Sequence, residues 1–254
     1  MSERVTLSLR ASLDGILEVD GVTGDRFATL DEREIAALPV STRSPAATIG
    51  DFFDVRGGRS ADVRIEGDLS RVHRLAAGMT SGRVHVVGDV GDEAGLAMTG
   101  GVLRIDGSAG DRLGAAFPGA SKGMSGGEII VSGSAGAEAA TRARRGLVVV
   151  GGDCGADAAR AMVAGTLVVF GRTGARPGRG SKRGSIVALG GIDVPDTYWL
   201  ACTYQPPYAR LLLTYLRRHH GLTIDDAQLD GRYRRHCGDA GNPGRGEILE
   251  WVAT

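Results

Sequence analysis

Gly82-Arg83-Val84-His85-Val86-Val87-Gly88-Asp89-Val90-Gly91-Asp92-Glu93-Ala94-Gly95 decides the fold, because its glycine frame recurs along the chain. With Gly82 as position one, glycines fall at positions seven, ten and fourteen. The frame repeats as Gly101, Gly107, Gly110 and Gly114, then as Gly127, Gly133, Gly136 and Ala140. It continues through Gly146, Gly152, Gly155 and Ala159 to Gly165, Gly171, Gly174 and Gly178. Partial units stand at either end, over 61–67 and 184–190. Successive position-seven glycines are 21, 19, 26, 19, 19 and 19 residues apart. Met79, Met98, Met124 and Met162 each precede a position one by three residues. A fixed period of this length marks a stacked solenoid rather than a catalytic motif.

Each unit holds a five-residue run between positions one and seven. Its second and fourth members are Val63/Ile65, Val84/Val86, Leu103/Ile105, Ile129/Val131, Val148/Val150, Leu167/Val169 and Ile186/Ala188, all apolar. Alternation with period two buries one face of a strand, and β-branched residues favour the strand. Glycine permits sharp turns, positive φ and close backbone approach. A 19-residue unit is too short for a strand plus crossover helix, which takes about 30 residues. The predicted fold is therefore mainly β. It is a right-handed parallel β-helix of about seven coils, the hand following from the chirality of parallel crossovers. At ~4.8 Å per strand the rod is roughly 30 Å long. Phosphate binding by the glycines lacks its strand–loop–helix context. A membrane helix pair lacks the required apolar stretch of about 20 residues.

The third member of each run points outward: Arg64, His85, Arg104, Ile130, Val149, Val168, Val187. The first three coils are polar outside and the last four apolar, so the apolar stripe needs a cover. Either the chain's own segment 207–219, an amphipathic helix with Leu211, Leu212, Tyr215 and Leu216, or a partner protein supplies it. The rest divides as 1–50, N-terminal strands and short helix; 51–196, the rod; and 197–254, C-terminal helix and tail. Strands are expected at Val5–Leu9 and 16–19 around Asp14-Gly15, and a capping box at Thr29-Leu30-Asp31-Glu32 opens a helix through Leu38. A linker over 41–50 follows, and 246–251 has the pattern of an added strand. The 26-residue spacing places a seven-residue insertion within 115–123, which includes Lys122.

Net charge is zero, so nothing favours nucleic acid or an anionic membrane. There are 28 arginines and two lysines, Lys122 and Lys182. Cys154, Cys202 and Cys237 form no C-x-x-C pair or metal spacing and read as reduced thiols of a cytoplasmic protein with no leader or membrane span. His73, His85, His219, His220 and His236 likewise lack metal spacing. His219-His220 fit a helix end, where positive charge is favourable. Asp68 and Asp89 read as turn residues. No catalytic, cofactor-binding or metal-binding residue is assigned. One loop carries Arg142, Arg144 and Arg145, and another Arg172, Arg176, Arg179, Lys182 and Arg183. With Lys122 they form a candidate contact for a carboxylate-rich partner or ligand.

The stretches Asp25-Arg26-Phe27-Ala28-Thr29-Leu30, Glu34-Ile35-Ala36-Ala37-Leu38-Pro39, Gly50-Asp51-Phe52-Phe53, Gly123-Met124-Ser125-Gly126-Gly127, Cys202-Thr203-Tyr204-Gln205-Pro206-Pro207 and Gly231-Arg232-Tyr233-Arg234-Arg235 stand outside or across the repeat. Together they resemble the C subunit of formylmethanofuran dehydrogenase. The resemblance covers nearly the whole chain and is strongest to the C subunit of the bacterial formyltransferase/hydrolase complex. The repeat alone is also similar to the C-terminal β-helix domain of glutamate synthase. The resemblance implies a non-catalytic assembly component that joins the A, B and D subunits, of which A is amidohydrolase-like and D is a formyltransferase. Such a complex moves a formyl group from tetrahydromethanopterin to a methanofuran-type carrier with a glutamate tail and hydrolyses it to formate, with metal in the amidohydrolase-like component. The alternatives are the C subunit of a redox dehydrogenase, a glutamate-synthase-type domain and a free-standing ligand-binding solenoid. The arginine-rich composition favours the hydrolytic complex.

Overall fold

The computed structural model describes residues 4–42, 46–241 and 244–253. Chain order gives β1 (Val5–Leu9), β2 (Leu17–Glu18), α1 (Gly24–Phe27), α2 (Glu32–Ala36), α3 (Ile49–Phe52) and β3 (Phe53–Arg56). The repeats supply β4 (Asp62–Glu66), β5 (Val72–His73), β6 (Arg83–Val87), β7 (Thr99–Ile105), β8 (Ser125–Val131), β9 (Arg145–Val150), β10 (Thr166–Val169) and β11 (Arg183–Ala188). The chain ends with β12 (Trp199–Tyr204), α4 (Pro207–His220), α5 (Asp226–Leu229), β13 (Arg232–Gly238) and β14 (Arg245–Val252).

The protein is mainly β, with a 12-stranded sheet in the order β12-β13-β14-β11-β10-β9-β8-β7-β6-β4-β1-β3. From β4 to β11 the pairing is parallel and keeps the repeat register, as in Val84↔Leu103 and Leu167↔Ile186. The fourteen inward residues of the runs are all at most 1% exposed. A second parallel ladder of single bridges joins position nine of successive units, Leu69–Val90–Ala109–Ala135–Cys154–Thr173.

Two kinds of glycine sustain the stack. Position-one glycines have positive φ, +77° at Gly101, and the methionine one unit earlier packs beneath: a Cβ on Gly101 would lie 2.9 Å from Met79 Cε. Position-seven glycines serve close approach instead. A Cβ on Gly107 would lie 2.5 Å from the Gly88 carbonyl carbon and closer still to Asp89 Oδ1. That space is occupied by a polar ladder at position eight. Asp89 Oδ1 accepts from Ser108 N at 2.7 Å, Ser108 Oγ from Ser134 N at 3.1 Å, Ser134 Oγ from Asp153 N at 3.0 Å and Asp153 Oδ1 from Arg172 N at 2.8 Å. Asp89 is thus a stacking residue, and Asp68 a turn residue that accepts from Ser70 N at 3.1 Å.

The ends are closed by the flanks. β1 does not form a hairpin with the next strand as the Asp14-Gly15 turn implied. It pairs parallel to β4 and antiparallel to β3, while β2, shorter than 16–19, pairs with β5 in a separate two-stranded sheet. β2 is limited to Leu17 and Glu18, which pair with Val72 and His73, and Ile16 before it is 56% exposed. The capping box sits two residues later than predicted: Asp31 accepts from Glu34 N and Glu34 accepts from Asp31 N, so α2 runs over Glu32–Ala36. The expected linker holds α3 and the Pro39↔Thr48 bridge; its residues 43–45 lie outside the described residues. At the other end β14 adds parallel to β11, with β13 and β12 beyond it. Asp239 Oδ2 accepts from Gly180 N at 2.7 Å, and Tyr198 Oη donates to Gly178 O at 2.9 Å, where no further repeat follows.

Candidate interaction surfaces

The outer face of the sheet changes from polar to apolar along the stack, and α4 settles the consequence. Ile130, Val149, Val168 and Val187 are fully buried beneath Ala209, Leu213 and Leu216 of the helix, with Tyr233 and Leu249 in the same cluster. The chain covers its own stripe, at about 1.5–3 kcal/mol per large side chain removed from water. The packing face is rotated from the expected one. Leu216 is buried, but Leu211 is 71% and Tyr215 36% exposed.

Helix length fixes where the cover stops. The 14 residues of α4 rise about 21 Å, roughly four strand spacings. Tyr208 Oη lies 2.5 Å from Thr166 Oγ1 at the start of β10, and Tyr215 Oη donates to Glu128 Oε1 on β8 at 2.6 Å. Gly221, at φ +68°, ends the helix in a left-handed cap over β7, where Arg104 Nη1 donates to His220 O at 3.0 Å. Beyond it lie the outward faces of β4 and β6, where Arg64 and His85 are half-buried.

A polar network gathers at that step. His85 Nε2 lies 2.7 Å from Asp106 Oδ2, while Nδ1 lies 3.5 Å from Arg64 Nη1. Nε2 thus faces a carboxylate, an acceptor, and Nδ1 a guanidinium, a donor. Arg104 Nε donates to Asp106 Oδ1 at 3.1 Å. Burial pushes the Asp106 carboxyl up, but the bonds from His85 and Arg104 outweigh it and hold its pKa below the ordinary value. The hydrogen bond to Glu128 pushes the Tyr215 hydroxyl up to about 12. His220 Nε2 is 2.9 Å from Glu128 Oε2, but Nε2 has no well-directed hydrogen bond. A cleft of about 250 Å³ opens beside the helix end, lined by Arg4, Asp62, Arg83, His85, Arg104 and His219 among others. Sequence reading treated His85 and the His219-His220 pair separately; the outward register and the helix length were the signals that join them.

The predicted basic residues are mostly exposed. Arg144 and Arg145, at the start of β9, lie on the same margin of the stack as Lys182 and Arg183 at the start of β11, and all four are exposed. Arg183 also pairs in register with Arg245. Arg172, Arg176 and Arg179 occupy successive positions around the last repeat and are exposed. Arg176 Nη2 is held by Asp157 Oδ2 at 2.5 Å, and Arg172 Nη2 reaches Asp193 Oδ1 at 4.0 Å. Arg142 Nη1 donates to Ala120 O and so pins the inserted loop, on which Lys122 stands exposed.

The last strand of the sheet is a surface that sequence reading missed. β12 pairs on one side with β13 and has no neighbour on the other among the described residues. Trp199 is 52% and Leu200 57% exposed, and Cys202 is exposed beside them. Cys154 is inert by contrast, because burial pushes its thiol up to about 12. Among the described residues no group of three or more His, Cys, Asp or Glu could hold a metal ion, and no helix is long and apolar enough to cross a membrane.

No family model matches the chain. It is 40% identical over 81 residues to the C subunit of molybdenum-containing formylmethanofuran dehydrogenase 1 from Methanothermobacter thermautotrophicus, which covers 31% of this chain and 20% of that protein. It is 33% identical over 86 residues to the C subunit of the formyltransferase/hydrolase complex Fhc from Methylorubrum extorquens, 34% of this chain and 32% of that one. The alignments thus span a fifth to a third of these curated relatives. A chain in the crystal structure of the formyltransferase/hydrolase complex (FhcABCD) from Methylorubrum extorquens with methylofuran superposes with TM-score 0.81 at 32% identity, covering 98% of this chain and 100% of that chain.

Proposed function

The chain belongs to the family of formylmethanofuran dehydrogenase C subunits, and from that premise we propose that it is the C subunit of a formyltransferase/hydrolase complex. Its role in this reading is assembly rather than catalysis: a right-handed parallel β-helix, residues 51–196, with end-pieces 1–50 and 197–254, holds the A, B and D subunits in place in the cytoplasm. Those partners transfer a formyl group from tetrahydromethanopterin to a methanofuran-type carrier and hydrolyse it to formate. The observation that carries the reading is the end-to-end likeness to a chain of the FhcABCD crystal structure. The free edge of β12 supports it, since an unpaired strand with exposed Trp199 and Leu200 accepts a strand from another chain. Arg142, Arg144, Arg145, Arg172, Arg176, Arg179, Lys182, Arg183 and Lys122 are in this reading contacts for an acidic partner surface or the carrier's glutamate tail.

The second reading is a redox dehydrogenase, favoured by the higher local identity to the molybdenum-containing relatives. One experiment separates them: tandem-affinity purification of the tagged chain from its native host, followed by mass spectrometry and metal analysis. Amidohydrolase-like and formyltransferase partners without molybdenum or tungsten are expected. Recovery with a molybdenum or tungsten protein supports the second reading, and recovery alone or with a flavin and iron–sulfur synthase overturns both. In the same pull-down Leu200→Arg should lower partner recovery while leaving the fold intact by circular dichroism.

A further inference from the structure

We propose that the cleft beside the C-terminal end of α4 binds a small oxyanion, a carboxylate or phosphate group, between Arg83 and Arg104. The cleft arises from two independent lengths. The sheet carries outward charges on β4, β6 and β7, and the helix ends at Arg104 of β7, short of β4 and β6. A volume of about 250 Å³ is below the range of drug-sized pockets and suits one headgroup.

The donors there are only partly used. Arg4 Nη2 is bound to Asp62 Oδ2 at 2.9 Å, and Arg104 spends Nε on Asp106 at 3.1 Å and Nη1 on the His220 carbonyl at 3.0 Å, leaving its Nη2 edge. Arg83 lies in register with Asp62, but among the described residues its side chain has no acidic partner within 4.0 Å, and Asp62 holds Arg4 through Oδ2. Three guanidinium groups therefore face two carboxylates, Asp62 and Asp106, with a surplus of one positive charge. Glu128 lies outside the cleft's lining, where it accepts from Tyr215 Oη at 2.6 Å. Arg83 and Arg104 sit diagonally on neighbouring strands, His85 being in register with Arg104. Such diagonal residues are about 7–8 Å apart at the backbone, within reach of one ligand by two long side chains. Planar guanidinium forks match both carboxylate and phosphate oxygens, and His219 on the helix end adds a ring nitrogen at the rim.

Equilibrium dialysis of the full chain, in the assembly with which it purifies, tests this with radiolabelled inorganic phosphate and radiolabelled succinate at constant ionic strength in chloride. Retention of either at millimolar concentration, lost at least tenfold in Arg83→Gln and kept in the control Arg33→Gln on α2, is expected. Preferential retention of succinate or of phosphate names the source. No retention of either anion, or equal retention by wild type and Arg83→Gln, overturns the proposal. Arg83 is exposed, so a folded variant is expected, and its circular dichroism melt verifies that before dialysis.

Discussion

Replacing Gly107 with Ala should cost far more than replacing Gly119 with Ala, although Gly119 has the less favourable backbone. Gly119, in the inserted loop, has φ +77° and nothing within 4 Å of an added Cβ, so alanine meets only left-handed strain. That strain is about 1–2 kcal/mol, offset by about 0.4–1 kcal/mol from a less flexible unfolded chain. The net loss is ~1 kcal/mol. At Gly107 the methyl would lie 2.5 and 2.6 Å from the Gly88 carbonyl carbon and oxygen, and nearer still to Asp89 Oδ1. Backbone cannot swing aside, so the two repeats must part, and the bonds Ser108 N to Asp89 Oδ1 and Gly107 N to Gly88 O stretch with them. Overpacking of about 1–3 kcal/mol plus two weakened hydrogen bonds of about 1 kcal/mol each gives ~3–5 kcal/mol. At about 2–4 °C per kcal/mol for a chain of this size, the melting temperature should fall by roughly 6–20 °C. Thermal and urea unfolding followed by circular dichroism measures both variants. Adding Asp89→Ala to Gly107→Ala should restore only part of the loss, because the clash with the Gly88 backbone remains. Equal cost at the two glycines, or full rescue by Asp89→Ala, refutes the account of the ladder.

Leu213→Ala should destabilise by about 2–5 kcal/mol, since the side chain is fully buried against the apolar stripe, while Leu211→Ala on the exposed face should change urea stability by less than about 0.5 kcal/mol. Asp239→Asn should cost about 1.5–3 kcal/mol at neutral pH by weakening charged hydrogen bonds at the end of the stack. Burial pushes the Asp239 carboxyl up, but the bonds from Gly180 N, Gly241 N and the Thr197 hydroxyl win and hold its pKa below 3.8. A depressed folded-state pKa adds stability above the unfolded value that is lost as pH falls through the folded one. Urea midpoints measured from neutral pH down to below 3.8 should therefore drop less steeply at the acid end for the asparagine variant; parallel curves would contradict the assignment.

Much of the fold was legible because its information is local and repeated. Val84 and Val86 alternate on one strand, and the same pair recurs a fixed distance on, so a one-residue slip would turn every apolar side chain outward. What stayed hidden depends on contacts between repeats. Ser108, Ser134 and Asp153 look like ordinary turn residues, and only stacking makes each the acceptor for the next unit's backbone. The row Leu69, Val90, Ala109, Ala135, Cys154, Thr173 varies too much in size to read as a strand, yet it forms a parallel ladder because the first sheet dictates its register.

The surfaces were less legible for a related reason: each is set by where something ends. The outward series Arg64, His85, Arg104, Ile130 announces that a cover begins near the fourth coil, and the buried Ile130 under α4 bears this out. Which helix residues meet it could not be read from amphipathicity, because Leu211, Leu212, Tyr215 and Leu216 share a broad apolar arc and Tyr233 on β13 competes for part of the sheet. Tyr215 turns to Glu128 instead, placing the two histidines of the helix end beside the charges of β6 and β7. The arginines are a separate case. Arg176, through its hydrogen bond, and Arg179, through its charge, both hold the Asp157 carboxyl below its ordinary value, and Arg145, Arg183 and Arg245, far apart in sequence, share one margin. In a stacked repeat, proximity is counted in whole periods, and charge patches have to be sought along that period rather than along the chain.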